Sequence, residues 1–119
     1  MNLEHIDLDG ALCYRWTCTA VPVQAEGTLA GFPFYFRARW DSWRFAVTTD
    51  GTSDPVQVAM DDLPPFTAQT AAGFACGQPY GEPGGYAAGW MDLPEAAGFL
   101  RAAAHTALQA IGPVPIARR

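Results

Sequence analysis

The chain of 119 residues contains no lysine, and arginine supplies all seven of its basic side chains. With twelve acidic residues, the formal net charge at pH 7 is -5. An acidic chain binds phosphate backbones poorly in general, which argues against a strongly basic nucleic-acid-binding protein. We attribute the missing lysine to the nucleotide composition of the source genome rather than to chemistry. The net charge instead favours a partner with a basic surface.

Cysteine and histidine are also scarce, with three and two copies. Cys13 and Cys18 lie in a segment that we predict to be extended, roughly 17 Å apart and therefore too far for a disulfide. Free thiols are typical of the cytoplasm, where we expect the protein to reside. Neither His5 nor His105 has the spacing of a metal ligand. We expect no metal and no cofactor.

Sequence motifs for membranes, secretion and catalysis are missing. No apolar run is long enough to span a bilayer, and the N-terminal segment has no signal-peptide pattern. The glycine-rich residues 77–85 lack the ending of a phosphate-binding loop, and residues 50–54 lack the alternating ligands of a calcium loop. We therefore expect one domain over residues 1–119, no membrane partner and no enzymatic activity.

Residues 23–49 carry the strongest pattern in the chain. They predict three antiparallel strands with tight turns at Ala30-Gly31 and Asp41-Ser42. Opposed residues share a face and faces alternate along each strand, so the pattern predicts the register. One face becomes an apolar wall of Phe34, Phe36, Ala38, Trp40, Trp43, Phe45 and Val47. The other face carries Tyr35, Arg37, Arg39 and Arg44, with Gln24 and Glu26 beside them.

A helix is predicted at about residues 93–111. Asp92 is a natural N-cap with Glu95 three residues later, Pro94 falls in the first turn, and Gly112 with Pro113 ends the helix. Its apolar stripe is typical of a helix packed on a sheet. The chain is thus predicted to be α+β, with a single antiparallel sheet of about five or six strands and the helix on its aromatic face. Residues 56–60 are interpreted as a further short strand, and residues 74–76 with 86–91 as a loose hairpin.

The candidate partner-binding residues fall into two groups. Tyr35, Arg37, Arg39 and Arg44 share the polar sheet face and combine a stacking ring with guanidinium groups that bind carboxylates or phosphates. Tyr80 and Glu82 lie in the glycine-rich loop, and loops often carry recognition. The competing interpretation of the first group is a solvated sheet face, because antiparallel sheets usually keep one wet side.

Three functions remain open at this point. The leading hypothesis is a small, acidic, non-enzymatic interaction protein, such as an inhibitor or immunity-type factor from a bacterium or mobile element that blocks a larger partner. The first alternative is a single-stranded nucleic-acid binder that uses the Arg37, Arg39 and Arg44 face. The second is a ligand-binding domain or enzyme with a pocket between sheet and helix lined by Trp40, Trp43, Tyr86 and Trp90. A monomer and a homodimer formed by an edge strand are both expected states.

Overall fold

A computed structural model describes residues 4–61, 66–69 and 72–111. They form one antiparallel sheet with the strand order β1-β2-β3-β4-β5-β7-β6. The strands are β1 (His5–Asp7), β2 (Leu12–Thr19), β3 (Val23–Leu29), β4 (Phe32–Arg39), β5 (Ser42–Thr48), β6 (Phe66–Gln69) and β7 (Gly73–Pro79). The helices are α1 (Pro55–Asp61) and α2 (Leu93–Ile111), with short 3-10 turns at Leu8–Gly10 and Ala87–Trp90. None of these helices is long and apolar enough to cross a membrane.

The predicted α+β class is confirmed, including the single antiparallel sheet and the C-terminal helix packed on its aromatic face. The described residues contain seven strands rather than about five or six, because the short edge strands β1 and β6 carry too little pattern to be predicted. The predicted helix ends agree with α2, and the Asp92 carboxylate accepts the Glu95 N–H at 2.9 Å as an N-cap. Gly112 and Pro113 lie outside the described residues.

The predicted turn at Ala30-Gly31 and its register are confirmed. Leu29 pairs with Phe32 and Gln24 pairs with Arg37. Ala30 and Gly31 both have positive φ, at 54° and 86°, which suits a two-residue hairpin.

The second predicted turn, at Asp41-Ser42, is wrong by one position. Trp40 and Asp41 form the turn, Arg39 pairs with Ser42, and Arg37 pairs with Arg44. Each β4 residue therefore faces a β5 residue two places earlier than predicted, which preserves the division into faces everywhere except at the turn. The displaced turn is held by the chain that follows β7, since the Ala88 N–H donates to the Trp40 carbonyl at 2.9 Å and the Tyr80 N–H donates to the Asp41 carbonyl at 2.7 Å.

The main core lies between α2 and the aromatic sheet face. Phe36 and Phe45 are fully buried there, and the Trp43 ring stacks between Phe36 and Phe99 with centroid distances of 5.8 and 5.4 Å. The buried stripe of α2 comprises Ala96, Leu100, Ala103, Ala104 and Ala107. Small alanine side chains let the helix backbone approach the rings closely.

The predicted strand at residues 56–60 is wrong, because this segment is helix α1. The Asp54 carboxylate accepts the Val56 N–H at 2.9 Å, and Pro55 occupies the first helical position, where its missing N–H costs nothing. Helix α1 contacts β4, β5 and β7 on the face opposite α2. There Ala59 packs with Tyr35, Ala46 and Ala75 in a second buried cluster.

The predicted hairpin between residues 74–76 and 86–91 is also wrong. Strand β7 instead pairs with β5 on one side and β6 on the other. Residues 87–90 form a 3-10 turn that packs beside the β4–β5 turn. The proline- and glycine-rich connection after β7 thus closes one end of the sheet rather than extending it.

Candidate protein-interaction site

One end of the sheet collects the β2–β3 connection, the β4–β5 turn and the last residue of β7. These meet because neighbouring strands run antiparallel. The chain after β7 is tied over this end by backbone hydrogen bonds. The Val21 N–H donates to the Gly89 carbonyl at 2.9 Å, and the Gly84 N–H donates to the Asp41 carboxylate at 2.6 Å. We call residues 80–90 the closing segment; it is fixed to two separate connections of the sheet, β2–β3 and β4–β5.

Three large aromatic side chains are solvent-exposed at this end of the sheet. Trp40 is 56% exposed, Tyr86 is 67% exposed and Trp90 is 70% exposed. Trp40 and Tyr86 line one groove, and Trp90 follows Gly89, whose backbone packs against Val21 and Arg39. We call Trp40, Tyr86 and Trp90 the aromatic end. Together they expose roughly 400 Å² of aromatic surface, if each ring offers about 200 Å² in total. The largest apolar patch of a typical monomer covers about 300–600 Å² and is often functional, which makes this end a candidate contact surface.

A cleft of about 40 Å³ adjoins Trp40 on the face of the sheet that carries α1. We call it the arginine cleft; it is lined by Arg37, Arg39, Trp40, Ser42, Arg44 and Met60. Arg37 and Arg39 are two places apart on β4 and so point to the same face, and Arg44 lies directly opposite Arg37 on β5. Three of the five arginines that the structure describes are thus gathered within one small cleft.

The guanidinium groups of the cleft have different partners. The Arg44 Nη1 donates to the carbonyls of Ala59 and Met60 at 3.3 and 3.2 Å, which ties it to the end of α1. The Arg37 Nη1 lies 3.1 Å from the Met60 sulfur, a weak acceptor. The Arg39 guanidinium sits over the Trp40 ring, 4.9 Å from its centroid, in a cation–π contact.

Arg37 and Arg39 have no carboxylate within salt-bridge distance among the side chains that the structure describes, those of residues 4–60 and 72–111. The Nε atoms of both are buried and have no hydrogen-bond partner in that same part of the chain. A buried donor atom without a hydrogen-bond partner is costly, and a like charge directly across the sheet adds to the cost. The cleft therefore concentrates positive charge that the described residues do not neutralise.

The predicted site residues are only partly brought together. Arg37, Arg39 and Arg44 line one cleft, but Tyr35 is only 4% exposed because α1 covers it. The Tyr35 hydroxyl donates to the Gln24 side-chain oxygen at 3.2 Å, and burial raises its pKa. The binding interpretation is therefore wrong in using Tyr35 as a stacking surface, and the competing interpretation is wrong in expecting solvent at Tyr35, where α1 covers the sheet.

The two loop candidates lie apart from the arginine cleft. The Tyr80 hydroxyl donates to the Glu95 carboxylate at 2.6 Å, and this hydrogen bond raises the Tyr80 pKa. Its ring meets Phe99 edge-on, with the centroids 5.9 Å apart. Tyr80 thus joins the closing segment to α2, while Glu82 is exposed in the loop beyond it.

Sequence reasoning missed the aromatic end. It assigned Trp40 to the apolar wall and placed Tyr86 and Trp90 with it in an internal pocket, whereas all three are exposed and only Trp43 is in the core. The pocket predicted between sheet and helix is consequently not lined by this set. Two features of the sequence indicate that these side chains are exposed. Trp40 lies at the end of a hairpin, and Tyr86 follows two glycines in a loop segment.

Comparison with known proteins finds no matching family model, curated protein or solved structure. Within the described residues, no three histidine, cysteine, aspartate or glutamate side chains are grouped as a metal site would require. The geometry of the aromatic end and the arginine cleft therefore carries the functional interpretation.

Proposed function

We propose that the protein is a non-enzymatic interaction module that binds a protein partner through the aromatic end and the adjoining arginine cleft. The observation that carries this proposal is the joint exposure of Trp40, Tyr86 and Trp90 beside two arginines without described carboxylate partners. An inhibitor or immunity-type factor is one form of such a module.

The residue types support a protein partner. Tryptophan, tyrosine, methionine and arginine are enriched at protein interfaces, and tryptophan, tyrosine and arginine dominate the residues that contribute most binding energy. The aromatic end and the cleft contain all four types, including Met60, which is 39% exposed.

The closing segment also favours binding because it is held in place before any partner arrives. Four hydrogen bonds join it to the rest of the fold, from Val21, Tyr80, Gly84 and Ala88, and a fifth runs from the Tyr80 hydroxyl to Glu95. A surface fixed in advance loses less conformational entropy on association. The exposed rings of the aromatic end are thus carried by backbone that hydrogen bonds hold in place.

The charge of the cleft bears on the expected partner. Net charge predicts a partner with a basic surface, yet the cleft itself is lined by arginines and favours an acidic group at the contact. For the nucleic-acid alternative, Trp40 with Arg37 and Arg39 supplies the required combination of ring and cation. The net charge of -5 opposes a long polyanion, and the buried Tyr35 removes the ring on which that alternative depended.

A cysteine nucleophile with a histidine base, Cys76 with His105, is the catalytic alternative to consider, and the site does not support it. Burial raises the pKa of the Cys76 thiol to about 12, which disfavours the reactive thiolate. His105 is exposed on α2, and the buried stripe of that helix faces the other way. A non-enzymatic role is therefore the better interpretation.

Affinity capture from the native host tests the proposal when it is made with matched variants. We expect Trp40→Ala/Trp90→Ala to lose the specific partner that the unmodified protein retains. Ile6→Ala is the control, because Ile6 is 70% exposed on the edge strand β1 and also removes apolar surface. Equal capture by all three proteins, or loss with Ile6→Ala alone, contradicts the proposal.

A further inference from the structure

The arginine cleft has the properties of an anion site within the proposed interaction surface. Its positive charge is built into paired strands: Arg37 and Arg39 alternate along β4, and Arg44 faces Arg37 from β5. Arg37 and Arg39 are half-buried and their Nε atoms are buried, so the side chains are held against the sheet rather than extended into bulk water. Such an arrangement is stabilised by a bound anion.

We propose that this cleft binds the carboxylate of an acidic residue of the protein partner, while the aromatic end packs on apolar residues beside it. This inference rests on the proposed function and adds the chemistry that the partner must bring. Guanidinium groups bind carboxylates through paired N–H donors, and two of them on one strand offer more than one such pair.

The size of the cleft limits the ligand. A volume of about 40 Å³ holds only a few water-sized groups, since one water needs roughly 10–15 Å³ on the same measure. That volume suits one carboxylate head group and not a nucleotide or a drug-sized ligand, whose sites reach several hundred Å³. The surrounding groups, Trp40 and Met60, are apolar and exposed, which suits a carboxylate that is flanked by apolar side chains.

The charge of the whole chain separates an acidic side chain from a polyanion. A single carboxylate of the partner interacts mainly with the arginines of the cleft, because charges more than about 10 Å away are screened at physiological salt. A nucleic acid spans a longer stretch of surface, so the net charge of -5 opposes its binding more strongly. The observations therefore favour an acidic protein segment over an oligonucleotide.

The test uses the full chain and a defined probe, a capped octapeptide in which two glutamates flank one leucine within a glycine–serine frame. We expect a dissociation constant below about 1 mM by titration calorimetry, and at least tenfold weaker binding of the matched peptide with glutamines in place of the glutamates. The glutamine peptide tests the claim without altering the protein. Failure of the glutamate peptide to bind at about 1 mM, or equal binding of both peptides, overturns the inference.

Protein variants supply the second arm. Arg37→Gln/Arg39→Gln is expected to weaken the glutamate peptide about tenfold or more, whereas the charge-matched Arg15→Gln/Arg101→Gln is expected to leave it unchanged. Arg37→Lys/Arg39→Lys keeps the charge for the case in which the glutamine variant does not fold, and we expect an intermediate loss because the planar fork is removed. Loss only in the Arg15/Arg101 control overturns the inference.

Two further outcomes identify other occupants. Tighter binding of an oligothymidylate than of the glutamate peptide, with the same loss in Arg37→Gln/Arg39→Gln, replaces the protein partner with a nucleic acid. A dimer by light scattering that dissociates in Trp40→Ala makes a second copy of this chain the occupant. Partner capture that depends on Trp40 and Trp90 but not on Arg37 and Arg39 refutes the carboxylate site alone and leaves the proposed function standing.

Discussion

The two tight turns of the meander are held by different means. In the β3–β4 turn Ala30 and Gly31 both adopt positive φ, and the buried Ala30 N–H donates one long-range hydrogen bond, to the Ala11 carbonyl at 2.7 Å. The β4–β5 turn places Trp40, a bulky residue, at φ 57°, where side chains other than glycine are strained. Its carbonyls and the Asp41 carboxylate accept hydrogen bonds from the distant residues Tyr80, Gly84 and Ala88.

This difference connects the fold to the proposed function. The first turn has a glycine at its second position and one long-range hydrogen bond, and it leaves no large side chain in solvent. The second turn relies on the closing segment, and in return it presents Trp40 beside the arginine cleft. Backbone strain at such a position is typical of functional sites, where surrounding structure maintains it.

The largest effect is expected from Gly31→Val. A Cβ at Gly31 would meet nothing within 4 Å, so the change acts through the backbone conformation at φ 86° alone. A β-branched residue there should lower the free energy of unfolding by about 2 kcal/mol, measured from urea midpoints. A change below about 0.5 kcal/mol would show that the positive φ of Gly31 is not what stabilises the first turn.

Gly81→Ala tests the closing segment without touching the second turn itself. Gly81 has φ 77°, and a Cβ there would lie 2.7 Å from the Ala87 Cβ, so the segment must shift. We expect a loss of about 1 kcal/mol, with faster hydrogen exchange at the amides of Gly84 and Ala88 and unchanged exchange in β3 and β4. Uniformly faster exchange across the sheet would mean that the segment is not a separate unit.

Trp40→Gly separates stability from binding. Glycine relieves the strain of positive φ, which offsets its greater conformational entropy and the lost contact with Arg39. The free energy of unfolding should therefore change by less than about 1 kcal/mol, while capture of the partner is lost. A large destabilisation with intact capture would assign Trp40 to the core rather than to the contact surface.

The smallest expected effect is a difference in the rate of thiol alkylation at Cys76 in β7, the strand that precedes the closing segment. Burial raises the Cys76 pKa from 9.0 to about 12, so alkylation at about pH 8 should modify the half-buried Cys13 and Cys18 first. Burial favours the neutral Cys76 thiol over the thiolate in the folded protein. The contribution of this neutral thiol to the free energy of unfolding is therefore complete below pH 9.0 and is lost as the pH rises through about 12. Mass spectrometry of the alkylated protein determines the order in which the three cysteines are modified.

The same experiment on Gly81→Ala sharpens the comparison. If the closing segment loosens by itself, Cys76 stays protected in the variant, because β7 remains between β5 and β6. Equal labelling rates for all three thiols in the unmodified protein would contradict the buried position of Cys76.

The parts of the fold that depend on local pattern were predictable from the sequence. Alternation over residues 23–39 gave the β3–β4 register, and Asp92 with the alanine-rich stripe gave α2, because each depends on neighbours a few residues away. Helix α1 was not predictable from alternation, since the alternating valines of residues 56–60 resemble a strand. The Asp54 cap and Pro55 were the competing signals, and they decide the outcome.

The candidate site was predictable only in its charges. Arg37, Arg39 and Arg44 share a face in the sequence and a cleft in the structure. Trp40 was misplaced because its turn is fixed by hydrogen bonds from residues some forty positions later, which no local pattern encodes. Tyr35 was misplaced for a related reason, since the helix that covers it was read as a strand.

The most direct test of the central claim is a two-dimensional N–H NMR titration of the tryptophan indole signals with the glutamate peptide. Trp40 and Trp90 are exposed, whereas Trp43 is buried beneath α2 and Trp16 lies away on β2. The account predicts that the Trp40 signal shifts most, that the Trp90 signal shifts with it, and that the Trp43 and Trp16 signals stay in place. Shifts confined to Trp16 or Trp43, or no shift at a saturating peptide concentration, would contradict it.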